Sequence, residues 1–145
     1  ITVELTESVL PSDTASLIET LTRLRITGFG LALDDFGTGM ANFDMLRMCP
    51  FSELKIDRSL AQASIHDPLS CGVIETCSTV SRELGMTLTA EGVETEEQEV
   101  TLRRLGVDLF QGYLFGHGVI AGEFSARLLS ELSGQDSFAA AGQKY

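Results

Sequence analysis

Short apolar segments alternate with longer amphipathic segments along most of the chain, and this pattern constrains the fold more than any other feature. The apolar segments have the composition of strands covered on both faces, and strands that alternate with helices form parallel sheets with right-handed crossovers. The pattern therefore predicts an α/β protein with parallel strands. The predicted strands are residues 1–5, 30–34, 53–57, 86–92 and 107–112.

The segments between these strands carry the signals that begin and end helices. Serine, threonine or aspartate stands at several of the expected N-caps. Asp67 precedes a proline, and Thr95 begins a capping box with Gln98. Glycine stands where several of the helices should end. The predicted helices run from Ser12 or Asp13 to Gly28, over 41–48, from Asp67-Pro68 to Gly85, from Thr95 to Leu105, and over 123–132.

Two arrangements of such a sheet are open: a doubly wound sheet, or part of a β/α barrel. No glycine-rich dinucleotide-binding fingerprint follows the first predicted strand, which disfavours the doubly wound sheet. A chain of 145 residues is long enough for one domain, and no interior linker divides it. We expect residues 1–132 to belong to that domain and residues 133–145 to be a flexible tail.

The formal net charge of −11 argues against a general nucleic-acid or anionic-membrane binder, which normally presents a basic face. It is compatible with a small anionic ligand held through metal ions. No stretch approaches 18 uninterrupted apolar residues, so no membrane span is predicted. Because the chain begins at Ile1, inside a predicted strand, we expect it to be part of a longer protein.

The cysteines Cys49, Cys71 and Cys77 are odd in number and fit no zinc-binding spacing. They are expected to be free thiols of a protein in the reducing cytoplasm. His66 and His117 lie far apart in the sequence, which disfavours a histidine metal site and a Ser-His-Asp triad.

Each predicted strand carries a charged or amide residue at or near its carboxyl end. In a parallel α/β sheet all these ends lie on one side, so distant segments converge on one site. Any single member has a structural explanation, as a strand-end hydrogen bonder or an ion-pair partner, but their joint occurrence favours a site. The converging residues are Glu4, Asp34, Asp35, Lys55, Glu91 and Gln111.

Asp34 and Asp35 are adjacent at the end of the second strand. Two carboxylates about 4 Å apart repel each other by roughly 4 kcal/mol at an effective dielectric near 20. A turn or N-cap with both acids in water is one explanation, and a bound cation is the other. Carboxylate oxygens suit Mg²⁺ or Mn²⁺ better than zinc. Two such ions would clamp a phosphate while Lys55 holds the attacking water or neutralises charge, which predicts phosphoester hydrolysis.

Five motifs together resemble the EAL-domain phosphodiesterases, which hydrolyse cyclic di-GMP. They follow the order and spacing of that family up to about residue 120. The resemblance implies a β/α barrel that cuts cyclic di-GMP to the linear dinucleotide pGpG with Mg²⁺ or Mn²⁺ at a two-metal site. The motifs are VELTES (3–8), LALDDFGTG (31–39), ELKID (53–57), TAEGVE (89–94) and QGYLFG (111–116).

The resemblance implies a set of acidic metal ligands. Glu4 resembles one ligand, Asp34 a ligand shared by two metals, and Asp35 a ligand of the second metal. Glu91 resembles a glutamate that acts as general base or as a second-metal ligand.

The remaining matches resemble residues that position water or support the site. Lys55 and Gln111 resemble residues that position the attacking water. The loop of residues 37–43 is linked in the family to dimerisation and metal binding, and Glu7 resembles the acid that anchors this loop. The supporting residues implied in this way are Glu7, Glu94, Gly37, Thr38 and Gly39.

The resemblance covers the carboxyl-terminal part of such a domain, about strands 3 to 7 or 8 of a TIM-like barrel. The strand with the Glu-Ala-Leu signature and the strand with a metal-binding Asn are absent from the 145 residues. These residues alone are therefore expected to lack full activity, because they cannot close a barrel. The family also implies homodimerisation through the loop after Asp35 and a fused sensory or regulatory domain.

Two positions depart from the family pattern. His117-Gly118 stands where Arg-Pro is common, and Met40 stands where an aromatic is frequent. Two alternatives to the enzyme remain: a non-catalytic cyclic di-GMP receptor, and a metal-dependent barrel enzyme of unrelated chemistry, such as an aldolase or enolase relative. Degenerate receptors usually lose acidic ligands, whereas every ligand in the covered region is present here, which favours the enzyme.

Overall fold

The computed structural model of the chain describes residues 1–6, 14–37 and 43–132, with side chains described up to residue 130. Its strands are β1 (Thr2–Thr6), β2 (Gly30–Phe36), β3 (Glu53–Ile56), β4 (Thr87–Ala90) and β5 (Leu109–Phe110). Its helices are α1 (Thr14–Ile26), α2 (Phe43–Met48), α3 (Arg58–Ala63), α4 (Pro68–Leu84), α5 (Glu96–Arg104) and α6 (Ala121–Leu132).

The strands of the described residues form one sheet in the order β1-β2-β3-β4-β5, and every neighbouring pair is parallel. A doubly wound sheet reverses its strand order where the chain changes face. Here the order does not reverse, so right-handed crossovers place their helices on the same face. This is the arrangement of consecutive units in a β/α barrel. The predicted α/β class with parallel strands is confirmed.

The helices cover one face of the sheet, and that face forms the core. Leu33, Leu54 and Leu88 lie opposite one another across β2, β3 and β4, and each is at most 2% exposed. Helix α4 contacts β3 and β4 and contributes the buried residues Ile74 and Cys77. Burial raises the pKa of the Cys77 thiol to about 11, so this cysteine is a protonated core residue at neutral pH.

The helix ends follow the capping chemistry predicted from the sequence. Asp67 accepts hydrogen bonds from the backbone N–H groups of Leu69 and Ser70 at the start of α4. Gly85 ends α4 with a left-handed φ of 68°, a conformation that glycine adopts without a Cβ clash. The capping box that begins at Thr95 is also present at the start of α5. The predicted starts of both helices are therefore confirmed.

The clearest differences from the predicted elements are at α3 and β5, and parts of two predicted helices lie outside the described residues. Helix α3 was not predicted, because its N-cap Asp57 was assigned to the end of the preceding strand, 53–57. Strand β5 has two residues instead of the predicted 107–112, since the chain enters a turn after residue 111. Ser12, Asp13 and residues 41–42 lie outside the described residues.

Two further observations concern the cysteines and membrane association. Cys49, Cys71 and Cys77 are free thiols, as predicted. Among the described helices, none is both long enough and apolar enough to cross a membrane.

Leu54→Ala is expected to lower the free energy of unfolding by about 2–5 kcal/mol, because it opens a cavity at a residue that is 0% exposed. Leu69→Ala is the matched control, since Leu69 is 75% exposed. The control is expected to change stability by no more than about 0.5 kcal/mol. Urea unfolding of the full natural polypeptide measures both values. Equal unfolding midpoints would contradict the core position of Leu54.

Candidate active site

Acidic residues of the sheet gather around the side chain of Lys55. Lys55 lies in β3, and its side chain is 5% exposed. Its Nζ lies 2.8 Å from Oε1 of Glu4, 3.5 Å from Oδ1 of Asp34 and 2.5 Å from Oε1 of Glu91. These partners come from β1, from β2 and from the segment directly after β4. The structure thus brings four of the six residues that were predicted to converge into contact around Lys55, and a fifth, Asp35, lies with Asp34 and Glu91.

The charge state of Lys55 depends on these neighbours. Burial alone lowers the pKa of Lys55, because it disfavours the charged form. Hydrogen bonds to Glu4 and Glu91, together with the charges of Glu91 and Asp34, outweigh burial and raise the pKa above its ordinary value. Lys55 is therefore a fixed ammonium at neutral pH. The buried ammonium is stable only beside these carboxylates, because an unpaired buried charge raises the free energy of the folded state.

A bulge in β2 explains how two adjacent acids reach the same site. The β2–β3 register shifts between Leu33 and Phe36, so Asp34 and Asp35 together oppose Lys55. Successive residues of a regular strand point to opposite faces, and the extra residue of a bulge removes that alternation. Asp35 has a φ of 58°, and its N–H donates to Oδ1 of Asp34 at 3.0 Å. A left-handed non-glycine residue costs about 1–3 kcal/mol, and such strain concentrates at functional sites.

Asp34, Asp35 and Glu91 form a group of carboxylates that suits a hard cation. One oxygen from each lies within 4.8 Å of the other two, and all three residues are half-buried. Oxygens bound to one cation at about 2.1–2.5 Å lie at most about 4–5 Å apart, so the spacing fits a shared ion. Glu4 is linked to this group through Lys55. Four carboxylates against one ammonium leave the site strongly negative.

Glu94 lies beside the cluster rather than in it. Its carboxylate forms an ion pair with Arg58, the first residue of α3, at 2.7 Å. Its backbone N–H donates to Oε1 of Gln98 at 2.7 Å. These contacts join the loop that begins with Glu91 to α3 and α5. Sequence reasoning missed the partner Arg58, and the supporting role of Glu94 stays a prediction.

Gln111 follows β5, and its backbone is fixed in the sheet edge. Its N–H donates to the carbonyl of Ala90 at 2.9 Å, and its carbonyl accepts from the N–H of Val93 at 3.0 Å. Its side chain is exposed, and among the described residues it makes no hydrogen bond to the Lys55 cluster. Gly37 is exposed, with a φ of 104°. The predicted supporting residues Glu7, Thr38 and Gly39 lie outside the described residues.

The face that carries Lys55 holds further polar groups that sequence reasoning missed. Glu53 lies two residues before Lys55, and Thr89 pairs with Lys55 across β3 and β4. Oγ1 of Thr89 donates to Oε1 of Glu53 at 2.6 Å, and Thr89 is 4% exposed. The available signal was the polar residue at every second position of these two strands, which predicts a polar face.

Comparison with known proteins identifies the family. The family model of the EAL domain matches residues 1–117. The chain belongs to the EAL domain family. One relative is RocR of Pseudomonas aeruginosa, which is named a cyclic di-GMP phosphodiesterase and is 48% identical over 112 residues. The match covers 77% of this chain and 29% of RocR, so the chain spans less than a third of that relative.

Solved structures of EAL proteins share the fold described above. The EAL domain of Mycobacterium smegmatis DcpA aligns with a TM-score of 0.82 and 35% identity, over 89% of this chain and 58% of the DcpA chain. A complex of Klebsiella pneumoniae BlrP1 with manganese and cyclic di-GMP aligns with a TM-score of 0.75 and 31% identity. That match covers 80% of this chain and 30% of the BlrP1 chain. The predicted partial β/α barrel of the EAL family is therefore confirmed.

Lys55→Met is expected to lower the free energy of unfolding by about 3–5 kcal/mol, because it leaves three carboxylates without their shared cation. Arg47→Met, at an exposed position of α2, removes one positive charge as a control. It is expected to change stability by no more than about 0.5 kcal/mol. Denaturant unfolding of the full natural polypeptide with a chelator gives both values. An unchanged stability in Lys55→Met would show that the acids do not depend on the ammonium.

Proposed function

We propose that the complete domain containing this chain is a metal-dependent phosphodiesterase that hydrolyses cyclic di-GMP to linear pGpG. The proposal is carried by the contact of the Lys55 ammonium with Glu4, Asp34 and Glu91. These groups lie on parallel strands toward their carboxyl ends, where β/α barrels place active sites. The name of RocR and the cyclic di-GMP bound to BlrP1 support the choice of substrate.

The proposed activity belongs to the whole domain, because the chain spans only part of its relatives. We assign residues 1–132 to the carboxyl-terminal part of that domain and residues 133–145 to its tail. Within the described residues, β1 and β5 are the edge strands of an open sheet. A closed barrel needs further strands between them. The 145 residues alone are therefore expected to be deficient in hydrolysis.

Charge supports the proposed dependence on a metal. A phosphodiester is an anion, and a site with four carboxylates and one ammonium repels it. Asp34, Asp35 and Glu91 would hold Mg²⁺ or Mn²⁺, with Glu4 as a further ligand of a two-metal site. When bound, the ions would lower the pKa of a bound water and offset the phosphate charge. The manganese in the BlrP1 complex supports this assignment.

The residues of the chain would supply orientation and proton transfer. Lys55 is held by three carboxylates, so its ammonium has a fixed position from which it would donate to the attacking water. Glu91 would accept a proton from that water or complete the metal site. Gln111 would orient the water from the neighbouring strand end. Asp35, held by the bulge, would act with Asp34 as a ligand.

We also propose three features of the whole protein: homodimerisation through the loop after Asp35, a cytoplasmic location, and fusion to a sensory or regulatory domain. The small share of RocR that the chain covers, 29%, supports the fusion. The free thiols Cys49, Cys71 and Cys77 support a reducing compartment. Residues 38–42 of the dimerisation loop lie outside the described residues.

Asp34→Asn is expected to lower hydrolysis of cyclic di-GMP by about 10²–10³-fold, because an oxygen ligand and its charge are lost while the shape is kept. Chromatography of the linear dinucleotide, with the full natural polypeptide and Mg²⁺ or Mn²⁺, measures the rate. Glu83→Gln, at an exposed position of α4, removes one negative charge as the control and is expected to leave the rate unchanged.

The same experiment separates the enzyme from a receptor. If the wild type binds cyclic di-GMP tightly but forms no product, the phosphodiesterase hypothesis is wrong and the protein is a non-catalytic receptor. Full turnover in Asp34→Asn would contradict the proposed metal site. Binding of no cyclic dinucleotide would favour a barrel enzyme of other chemistry.

A further inference from the structure

The first residue of α3 lies beside the loop that follows β4. Ile56 and Ala90 pair at the ends of β3 and β4, and the carbonyl of Ile56 accepts from the N–H of Glu91 at 3.1 Å. Arg58 and Gly92 each stand two residues beyond that pair. The register of the two strands therefore brings the start of α3 against the loop of residues 91–94.

Arg58 contacts this loop with its guanidinium group and with the aliphatic part of its side chain. Its Nη2 lies 2.7 Å from Oε1 of Glu94. Its aliphatic stem lies across Gly92, where an ideally placed Cβ would stand 2.2 Å from Cγ of Arg58 and 2.6 Å from its Cβ. Gly92 also has a left-handed φ of 65°, so glycine is required there for two reasons. On the next turn of α3, Nε2 of Gln62 donates to the carbonyl of Gly92 at 3.4 Å.

The other side of the loop is held by backbone contacts. The N–H of Val93 donates to the carbonyl of Gln111 at 3.0 Å, and the N–H of Leu114 donates to the carbonyl of Val93 at 3.1 Å. Gly112 allows this approach, because a Cβ there would lie 2.1 Å from the carbonyl oxygen of Val93. The loop of residues 91–94 therefore has contacts on two sides. Backbone hydrogen bonds join it to the segment after β5, and the side chains of Arg58 and Gln62 join it to α3.

We propose that Arg58 is a positioning residue that holds the loop of residues 91–94 against α3 and thereby fixes Glu91 at Lys55. The proposal rests on the proposed function, because it concerns the same site. Glu91 begins the loop, and its Oε1 lies 2.5 Å from Nζ of Lys55. A misplacement of about 1 Å lowers catalytic rates by up to about 100-fold, so a modest loosening of the loop is enough to matter.

The proposed role is local rather than global. The side chains of Arg58 and Glu94 are 56% and 34% exposed. Exposed ion pairs add little to global stability, so removing this one should leave the melting temperature unchanged. Loops can open locally without unfolding of the whole protein, and the loop of residues 91–94 is expected to respond in this way.

Hydrogen exchange tests the hold on the loop without reference to activity. Arg58→Met keeps an aliphatic stem across Gly92 and removes the guanidinium. In the full natural polypeptide, it is expected to speed amide exchange over residues 90–95 by at least about threefold, with an unchanged melting temperature. Arg23→Met is the matched control, since Arg23 forms a 2.6 Å exposed pair with Glu19 on α1. Unchanged exchange in Arg58→Met, or equal acceleration in the control, would overturn the proposal.

Kinetics test the consequence for Glu91. With cyclic di-GMP and Mn²⁺, Arg58→Met is expected to lower kcat about tenfold and to change KM by less than about twofold, because the reacting geometry is disturbed more than binding. Arg58→Lys should recover part of the loss through a point charge near Glu94. Glu94→Gln should resemble Arg58→Met, and the double variant should be no slower than either single variant.

The outcomes distinguish this proposal from the proposed function. An active wild type with normal kcat in Arg58→Met, or losses that multiply in the double variant, would overturn the positioning role. An inactive wild type would count against the phosphodiesterase, and the exchange rates would then decide alone whether Arg58 holds the loop.

Discussion

The candidate site depends on Lys55, whose side chain is 5% exposed and is surrounded by carboxylates. The ammonium of Lys55 is stable only while Glu4, Asp34 and Glu91 stay close, and these acids come from three other parts of the chain. The strands must therefore keep their register for the site to exist. Four carboxylates around one ammonium leave an excess of negative charge, which is the physical basis for expecting divalent cations.

The strand order of the sheet places the hydrophobic core and the polar candidate site on opposite faces. Because the strand order does not reverse, the helices lie on one face, and residues such as Leu54 and Leu88 form the core there. The alternate positions carry Lys55 and the hydrogen-bonded pair Glu53 and Thr89 on the other face. In relatives of the EAL family, the corresponding structures are longer chains, and this chain aligns with only part of them.

Several features could be predicted from the sequence for identifiable reasons. Apolar runs and local capping signals such as Asp67 and Thr95 define helices and strands from short-range chemistry alone. Convergence of Glu4, Lys55 and Glu91 followed from one rule, that parallel strands end on the same side. Helix α3 was not predicted because its N-cap Asp57 was assigned to the preceding strand. The role of Arg58 was missed as well, since its partner Glu94 follows a different strand.

The order of the strands, the caps of α4 and α5, the charge balance and the residues available to the site could all be read from the amino-acid sequence. Those depend on neighbours within a few positions or on composition. Which groups touch depends on tertiary packing. Examples are the bulge that sets Asp34 and Asp35 together opposite Lys55, the left-handed backbone of Asp35, and the contact of Arg58 with the loop after β4. These features depend on register between strands that are far apart in the chain, and local chemistry does not specify register to within one residue.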